Sequence, residues 1–160
     1  MAGIADPSSF ATDDDALFMV EAYRTSLKPR PGLDICFQKL CAAGFTVWAL
    51  TSGDVPRVRG YFVNNGIDMP LENFTSCDSM GIGKPDPRAY TPLLEKFAGG
   101  EKPWFAAAHT WDAAAARRAG FRAAWSSQWE KEQCVGIFGE MDVVADSLPE
   151  LADKIIAASS

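Results

Sequence analysis

Three short stretches of this 160-residue chain carry side chains that could do chemistry: Thr51, Ser52 and Asp54 in ALTSGD, Lys84 and Asp86 in GKPDP, and His109 and Asp112 in AAHTWD. A lysine after glycines and before prolines has its backbone set by turn chemistry, so its ammonium can be aimed at an anionic group. His109 is the sole histidine, and an unperturbed pKa of about 6.5 makes it the natural acid or base. Thr51 and Ser52 can orient a carbonyl or carboxylate. Trp48 and Trp111 supply rigid apolar area of the kind that lines small-molecule pockets. Each residue also has a plainer reading. Lys84 could be a solvated surface charge, His109 a structural group, and Asp112 a helix N-cap worth about 0.5–2 kcal/mol.

Such groups act together only if the fold gathers them. Residues 13–27 have apolar spacing at Leu17, Val20 and Tyr23 with acids at the start, which predicts a first helix. Residues 33–44 predict a second, with Leu33, Cys36, Phe37, Leu40 and Cys41 on one face and Gly44 past its end. FTVWALT (45–51) is continuously apolar, as a strand covered on both faces would be. A helix at 55–65 follows, then a strand at 73–77, a helix at 87–97, a strand at 104–109 and a helix at 112–119. Beyond these come a strand at 121–127, a helical stretch from Trp129 to Phe138, a strand at 142–145 and a closing helix at 148–158. Strands alternating with helices predict an α/β, Rossmann-like parallel sheet with helices on both faces. The three polar stretches then lie at the carboxyl ends of strands, where such sheets bind ligands.

Composition bounds the partners. The length suits one domain over residues 1–160, with 1–12 as a loose start. The hydrophobic fraction is 48% and the net charge −6, so the chain folds and lacks the basic surface that nucleic acid requires. No apolar run approaches the roughly 18–20 residues that cross a bilayer, and the start lacks a signal-peptide pattern, so a cytoplasmic, membrane-free protein is expected. Cys36, Cys41, Cys77 and Cys134 have no CxxC spacing and are expected to be buried thiols. No GxGxxG fingerprint follows a strand, so no nucleotide cofactor is expected. The expected partners are an apolar small molecule and, through the tryptophans, a second copy of the chain.

Thr51-Ser52-Gly53-Asp54, Gly83-Lys84-Pro85-Asp86-Pro87 and Ala108-His109-Thr110-Trp111-Asp112, in that order, resemble the second, third and fourth motifs of the haloacid dehalogenase superfamily, most closely its (S)-2-haloacid dehalogenase branch. The resemblance covers roughly residues 28–158. It implies that Thr51 binds the reacting group, that Lys84 stabilises an anionic nucleophile and that Asp112 fills the acidic fourth-motif position. Ser52 and His109 stand where that branch often has asparagine.

The resemblance also implies a first strand ending in an aspartate nucleophile, followed by a cap domain. Neither pattern is found here. Asp6 in MAGIADPSS lacks the Gly-Thr continuation, and 13–27 reads as a remnant helix. The implied strand order, 5-4-1-2-3, puts the missing strand in the centre, between 45–51 and 104–109. Those two strands would then pair directly, or residues 1–10 or another chain would fill the space. Without a nucleophile the inherited hydrolysis is expected to be lost, and Asp112 alone is too little for a magnesium site, so no metal is expected. The expected function is cofactor-free cyclisation or isomerisation, of pericyclic type, of an apolar carbonyl- or carboxylate-bearing substrate. In that reading Lys84, His109 and Asp112 are catalytic, and Thr51, Ser52, Asp54, Trp48 and Trp111 bind substrate. The alternatives are a 2-haloacid dehalogenase-like hydrolase, with Asp6, Asp54 or Asp112 as replacement nucleophile, and a non-catalytic ligand-binding or scaffold protein.

Overall fold

In the computed structural model, which describes residues 6–159, the chain folds as alternating helices and short parallel strands. The helices are α1 (Asp13–Ser26), α2 (Leu33–Ala42), α3 (Val55–Asn64), α4 (Cys77–Met80), α5 (Thr91–Lys96), α6 (Thr110–Ala119), α7 (Val135–Phe138) and α8 (Leu148–Ala157). The strands are β1 (Ala49–Thr51), β2 (Phe74–Ser76), β3 (Trp104–Ala107), β4 (Arg122–Ser126) and β5 (Val143–Ala145).

Local chemistry sets the boundaries. Thr12 and Asp15 form a reciprocal capping box at the start of α1, satisfying donors that a helix start leaves open. Asp54 caps α3 by accepting from Arg57 N, and Ser147 caps α8 by accepting from Glu150 N. Gly44, at φ 87°, ends α2 in the left-handed conformation that glycine adopts at least cost.

The strands form two sheets. β1 pairs with β2, Leu50 opposite Thr75, and β3-β4-β5 form a parallel three-stranded sheet, Ala106 opposite Ala124 and Trp125 opposite Val144. Of the outcomes considered for the middle of the sheet, direct pairing of 45–51 with 104–109 is not the one adopted. Among the described residues no strand joins β1 to β3. Residues 1–5 lie outside the described residues, and Asp6 is exposed.

Helices cover both faces. On one, α2 packs on α8 and Phe37 of α2 stacks on Phe62 of α3 at 6.3 Å. On the other, α6 lies on β3 and β4 and against Pro87–Ala89. The contact of α6 runs through small side chains: Ala113 and Ala116 are fully buried, as is Ala123 of β4, while Ala124 packs with Leu151 and Ile155 of α8. Trp125 and Met141 pack with Ala113, while Tyr90, Leu93 and Phe121 pack with Ala116.

The first helix forms as expected, with Leu17, Val20 and Tyr23 exposed along it. Three expectations need correction. Residues 129–138 are mostly irregular, with only Val135–Phe138 helical, where Lys131 and Cys134 take positive φ and so interrupt a helix. Cys36 and Cys77 are buried, but Cys41 and Cys134 are exposed. The strand expected over 45–51 is ordered as β only from Ala49.

Candidate active site

The carboxyl ends of β1 and β3 bring two of the three polar stretches together, and Lys84 joins them from the third. After β1 the chain turns tightly: Gly53 N donates to Thr51 Oγ1 at 3.0 Å and Ser76 Oγ donates to Gly53 O at 2.7 Å. Lys84, in the loop before α5 and followed by a cis peptide bond to Pro85, reaches back. Its Nζ donates to Leu50 O at 3.0 Å and to Asp112 Oδ2 at 2.9 Å. Tyr90, fully buried, donates its hydroxyl to Asp112 Oδ1 at 2.6 Å.

This ion pair is largely shut off from water, with side chains 8% and 12% exposed. Two charges in a poorly solvated place are tolerated when each is paired and hydrogen-bonded, and here each carboxylate oxygen of Asp112 has a donor. Burial, together with the hydrogen bond to Asp112 and its charge, pushes the Tyr90 hydroxyl well above the ordinary phenol range, so it stays a donor. Lys84 has spent two of its three N–H donors on Leu50 O and Asp112. The third is placed to stabilise an anionic group beside them. Its Nζ also lies 5.1 Å over the Phe105 ring.

A cavity of about 1230 Å3 separates β1 from β3. Phe37 and Leu40 of α2 and Leu151 of α8 line it from one helical layer, and Leu93, Phe97 and Phe121 from the other. Thr51, Ser52, Lys84, His109 and Asp112 stand on its wall, as does Trp48. The indole Nε1 of Trp48 is buried without a hydrogen-bond partner. Apolar walls with a few convergent polar groups are the usual make-up of a small-molecule site.

Two predicted residues are placed elsewhere. Asp54 is not on the cavity wall, because its carboxylate is taken up capping α3 and facing Arg57 Nε at 3.5 Å. Trp111 also lies off the wall, half exposed and stacked on His109 with ring centroids 5.7 Å apart. Three partners were not anticipated: Tyr90, Glu130 and Thr110. Glu130 Oε1 lies 2.8 Å from His109 Nδ1, and its Oε2 accepts from Thr110 N at 2.6 Å and from Thr110 Oγ1. Tyr90 sits six residues after Lys84 within one loop-and-turn unit, a proximity that could have suggested it. Glu130 comes from an irregular segment that no periodicity marks. Among the described residues no three His, Cys, Asp or Glu side chains are grouped as a metal site needs.

A parallel α/β frame, with a buried lysine–aspartate pair at the strand ends beside a large cavity, defines a class of hydrolase-like folds, and comparison with known proteins specifies it. The chain belongs to the haloacid dehalogenase-like hydrolase family, whose model matches residues 4–120. It is 26% identical over 118 residues to haloacetate dehalogenase H-2 of Moraxella sp. (strain B), covering 73% of this chain and 52% of that protein. To (S)-2-haloacid dehalogenase H-109 of Pseudomonas putida it is 23% identical over 116 residues, covering 72% and 52%. The chain thus spans about half the length of the curated relatives it matches. Its fold is similar to the structure of L-2-haloacid dehalogenase from Xanthobacter autotrophicus with chloropropionic acid covalently bound, with a TM-score of 0.72 and 20% identity over 91% of this chain and 67% of that one. These likenesses are to hydrolases, and none of them bears on the cyclisation or isomerisation expected above. Among the described residues no helix is long and apolar enough to cross a membrane.

Proposed function

We propose that this chain carries the anion-stabilising side of a dehalogenase-type hydrolytic site acting on small organic anions of the 2-haloacid class. The observation that carries the reading is the buried Lys84–Asp112 pair, tied to Leu50 O and Tyr90, at the strand ends beside the cavity. In this reading Lys84 neutralises charge on a carboxylate reacting in the cavity, and its pairing with Asp112 fixes where that charge must sit. Thr51 and Ser52 line the same wall and orient the substrate.

The described carboxylates nearby already have other partners. Asp112 serves Lys84 and Tyr90, Asp54 caps α3, and Asp86 pairs with Arg88. The nucleophile in this reading is a water in the gap between β1 and β3: its oxygen bonds to the halogen-bearing carbon as the carbon–halogen bond breaks, halide leaves and the water proton is released. The reading is tested by halide release from chloroacetate and (S)-2-chloropropionate. Release by the chain, reduced about 100-fold or more in Lys84→Ala, is expected, since removal of one preorganised donor costs about that much. Absence of release from both substrates overturns it.

One observation favours a second reading. A mainly apolar cavity whose carboxylate nearest Lys84, that of Asp112, is already engaged suits proximity-driven cyclisation or isomerisation of an apolar carbonyl compound. Conversion of a conjugated enal without halide release would select it.

A further inference from the structure

The wall of the cavity holds one group that the Lys84–Asp112 chemistry does not use. His109 is the N-cap residue of α6, yet its side chain makes no capping hydrogen bond. Instead Nδ1 faces Glu130 Oε1 at 2.8 Å, and the imidazole stacks on Trp111 at an interplanar angle of 22°. The other oxygen of Glu130 accepts from Thr110 N and Oγ1, so one carboxylate both caps α6 and grips the ring beside it. Capping needs only Oε2. The contact of Oε1 with the imidazole is additional to it.

An imidazole held this way has its tautomer decided. A carboxylate accepts but cannot donate, so Nδ1 must carry the hydrogen, leaving the lone pair on Nε2. We propose that Glu130 orients His109 as an Nε2 proton acceptor on the cavity wall, a base for water or for a ligand proton beside the Lys84–Asp112 pair. The proton taken from water passes to Nε2 and leaves hydroxide, and the imidazolium formed is stabilised by the Glu130 carboxylate. What the proton transfer serves rests on the hydrolase reading above. The tautomer and basicity of His109 do not.

Burial alone would raise the Glu130 carboxyl, but hydrogen bonds from Thr110 and His109 hold it below the usual range. It is therefore ionised at neutral pH. The other charged side chains on the cavity wall are Lys84, Lys96, Glu101, Lys102 and Asp112, of which Lys84 and Asp112 offset each other. The dyad lies at the rim, with the His109 side chain 50% exposed, so it can exchange protons with solvent between events.

Because the chain contains one histidine, nitrogen-15 NMR of the whole protein reads this ring without assignment. The neutral ring is expected to carry its hydrogen on Nδ1. In Glu130→Leu, which removes the acceptor, the preference is expected to be lost and both neutral tautomers to be seen. Thr110→Val removes the hydroxyl from Oε2 but keeps Glu130 beside the ring, and should leave the hydrogen on Nδ1. A wild-type neutral ring with its hydrogen on Nε2, a tautomer unchanged in Glu130→Leu, or equal changes in both variants would overturn the proposal. In halide release, Glu130→Leu should lower kcat with KM little changed, and more than Thr110→Val does. Equal losses in the two variants overturn the role as base. Absence of halide release in wild type counts against the hydrolase reading, and the tautomer then decides this one.

Discussion

The two sheets differ in how completely they are enclosed. In β4, four of five residues are buried, strands pair on both sides, and α6 and α8 cover it. In β1 all three residues are only half-buried, with pairing to β2 on one side and the cavity on the other. A strand with both ladders filled and both faces packed is a rigid frame, whereas one with an open edge has fewer contacts to lose and opens locally more easily. The site sits on the boundary. Lys84 is the tie across it, since its ammonium binds the Leu50 carbonyl of β1 and the Asp112 carboxylate of α6, which rests on β3.

Cutting that tie should have the largest effect. Asp112→Ala leaves the Lys84 charge buried without its carboxylate and is expected to cost about 3–5 kcal/mol in denaturant unfolding, besides abolishing halide release. The double replacement Lys84→Met with Asp112→Leu removes both charges. It should return to within about 1–2 kcal/mol of wild-type stability while remaining inactive, because a buried pair adds little over apolar packing. If the single and double variants were equally unstable, the tie would owe its effect to shape and not charge.

The frame itself can be probed next. Trp125→Ala, deleting the largest fully buried side chain of β4, is expected to cost about 3–5 kcal/mol. Leu50→Ala, beside a cavity that already exists, should cost about 1–2 kcal/mol. Equal losses would mean that the two sheets are equally consolidated.

The smallest effect is acid sensitivity. Hydrogen bonds from Thr12 hold Asp15 below the usual carboxylate range, those from Arg88 hold Asp86 at about 2, and that from Lys154 lowers Glu150. Glu130 is lowered as well. Carboxyls depressed in the folded state contribute stability above their unfolded pKa, and that contribution is lost as pH falls through the folded values. Stability measured by circular dichroism should therefore be flat above about pH 5 and decline between about pH 4.5 and 2. Glu130→Gln should make the decline shallower.

Much of the frame was legible because local signals and burial agreed. The closing helix expected over 148–158 forms as Leu148–Ala157, where a cap at Ser147 and burial of Leu151 and Ile155 act together. Lys84 and Asp112 were legible as candidates from motif order, Asp112 after the apolar β3 and Lys84 through the GKPDP turn although the strand before it is short and mixed. The helix read from Leu17, Val20 and Tyr23 forms, although spacing alone does not say whether anything covers its face, and these side chains are exposed. The failures have physical causes. Residues 129–138 contain aromatic and aliphatic side chains at helix-like intervals, yet positive φ at Lys131 and Cys134 breaks the run. Glu130 went unnoticed for the same reason. Its role depends on where an irregular loop returns to the start of α6, and that return is made by tertiary contacts. Among them is the stacking of Arg30 on Trp129 at 4.2 Å.

The alanines between α6 and β4 have a further effect on how this site can evolve. Because Ala113 and Ala123 are both fully buried in one cluster, with Trp125 and Met141 packed around them, little slack is left in the height of the helix above the strands, and with it in the aim of the Asp112 carboxylate. A larger residue at Ala113 or Ala116 would tilt that aim without altering any group that touches a ligand. Selection can thus retune the chemistry from underneath, by changing the thickness of a shim.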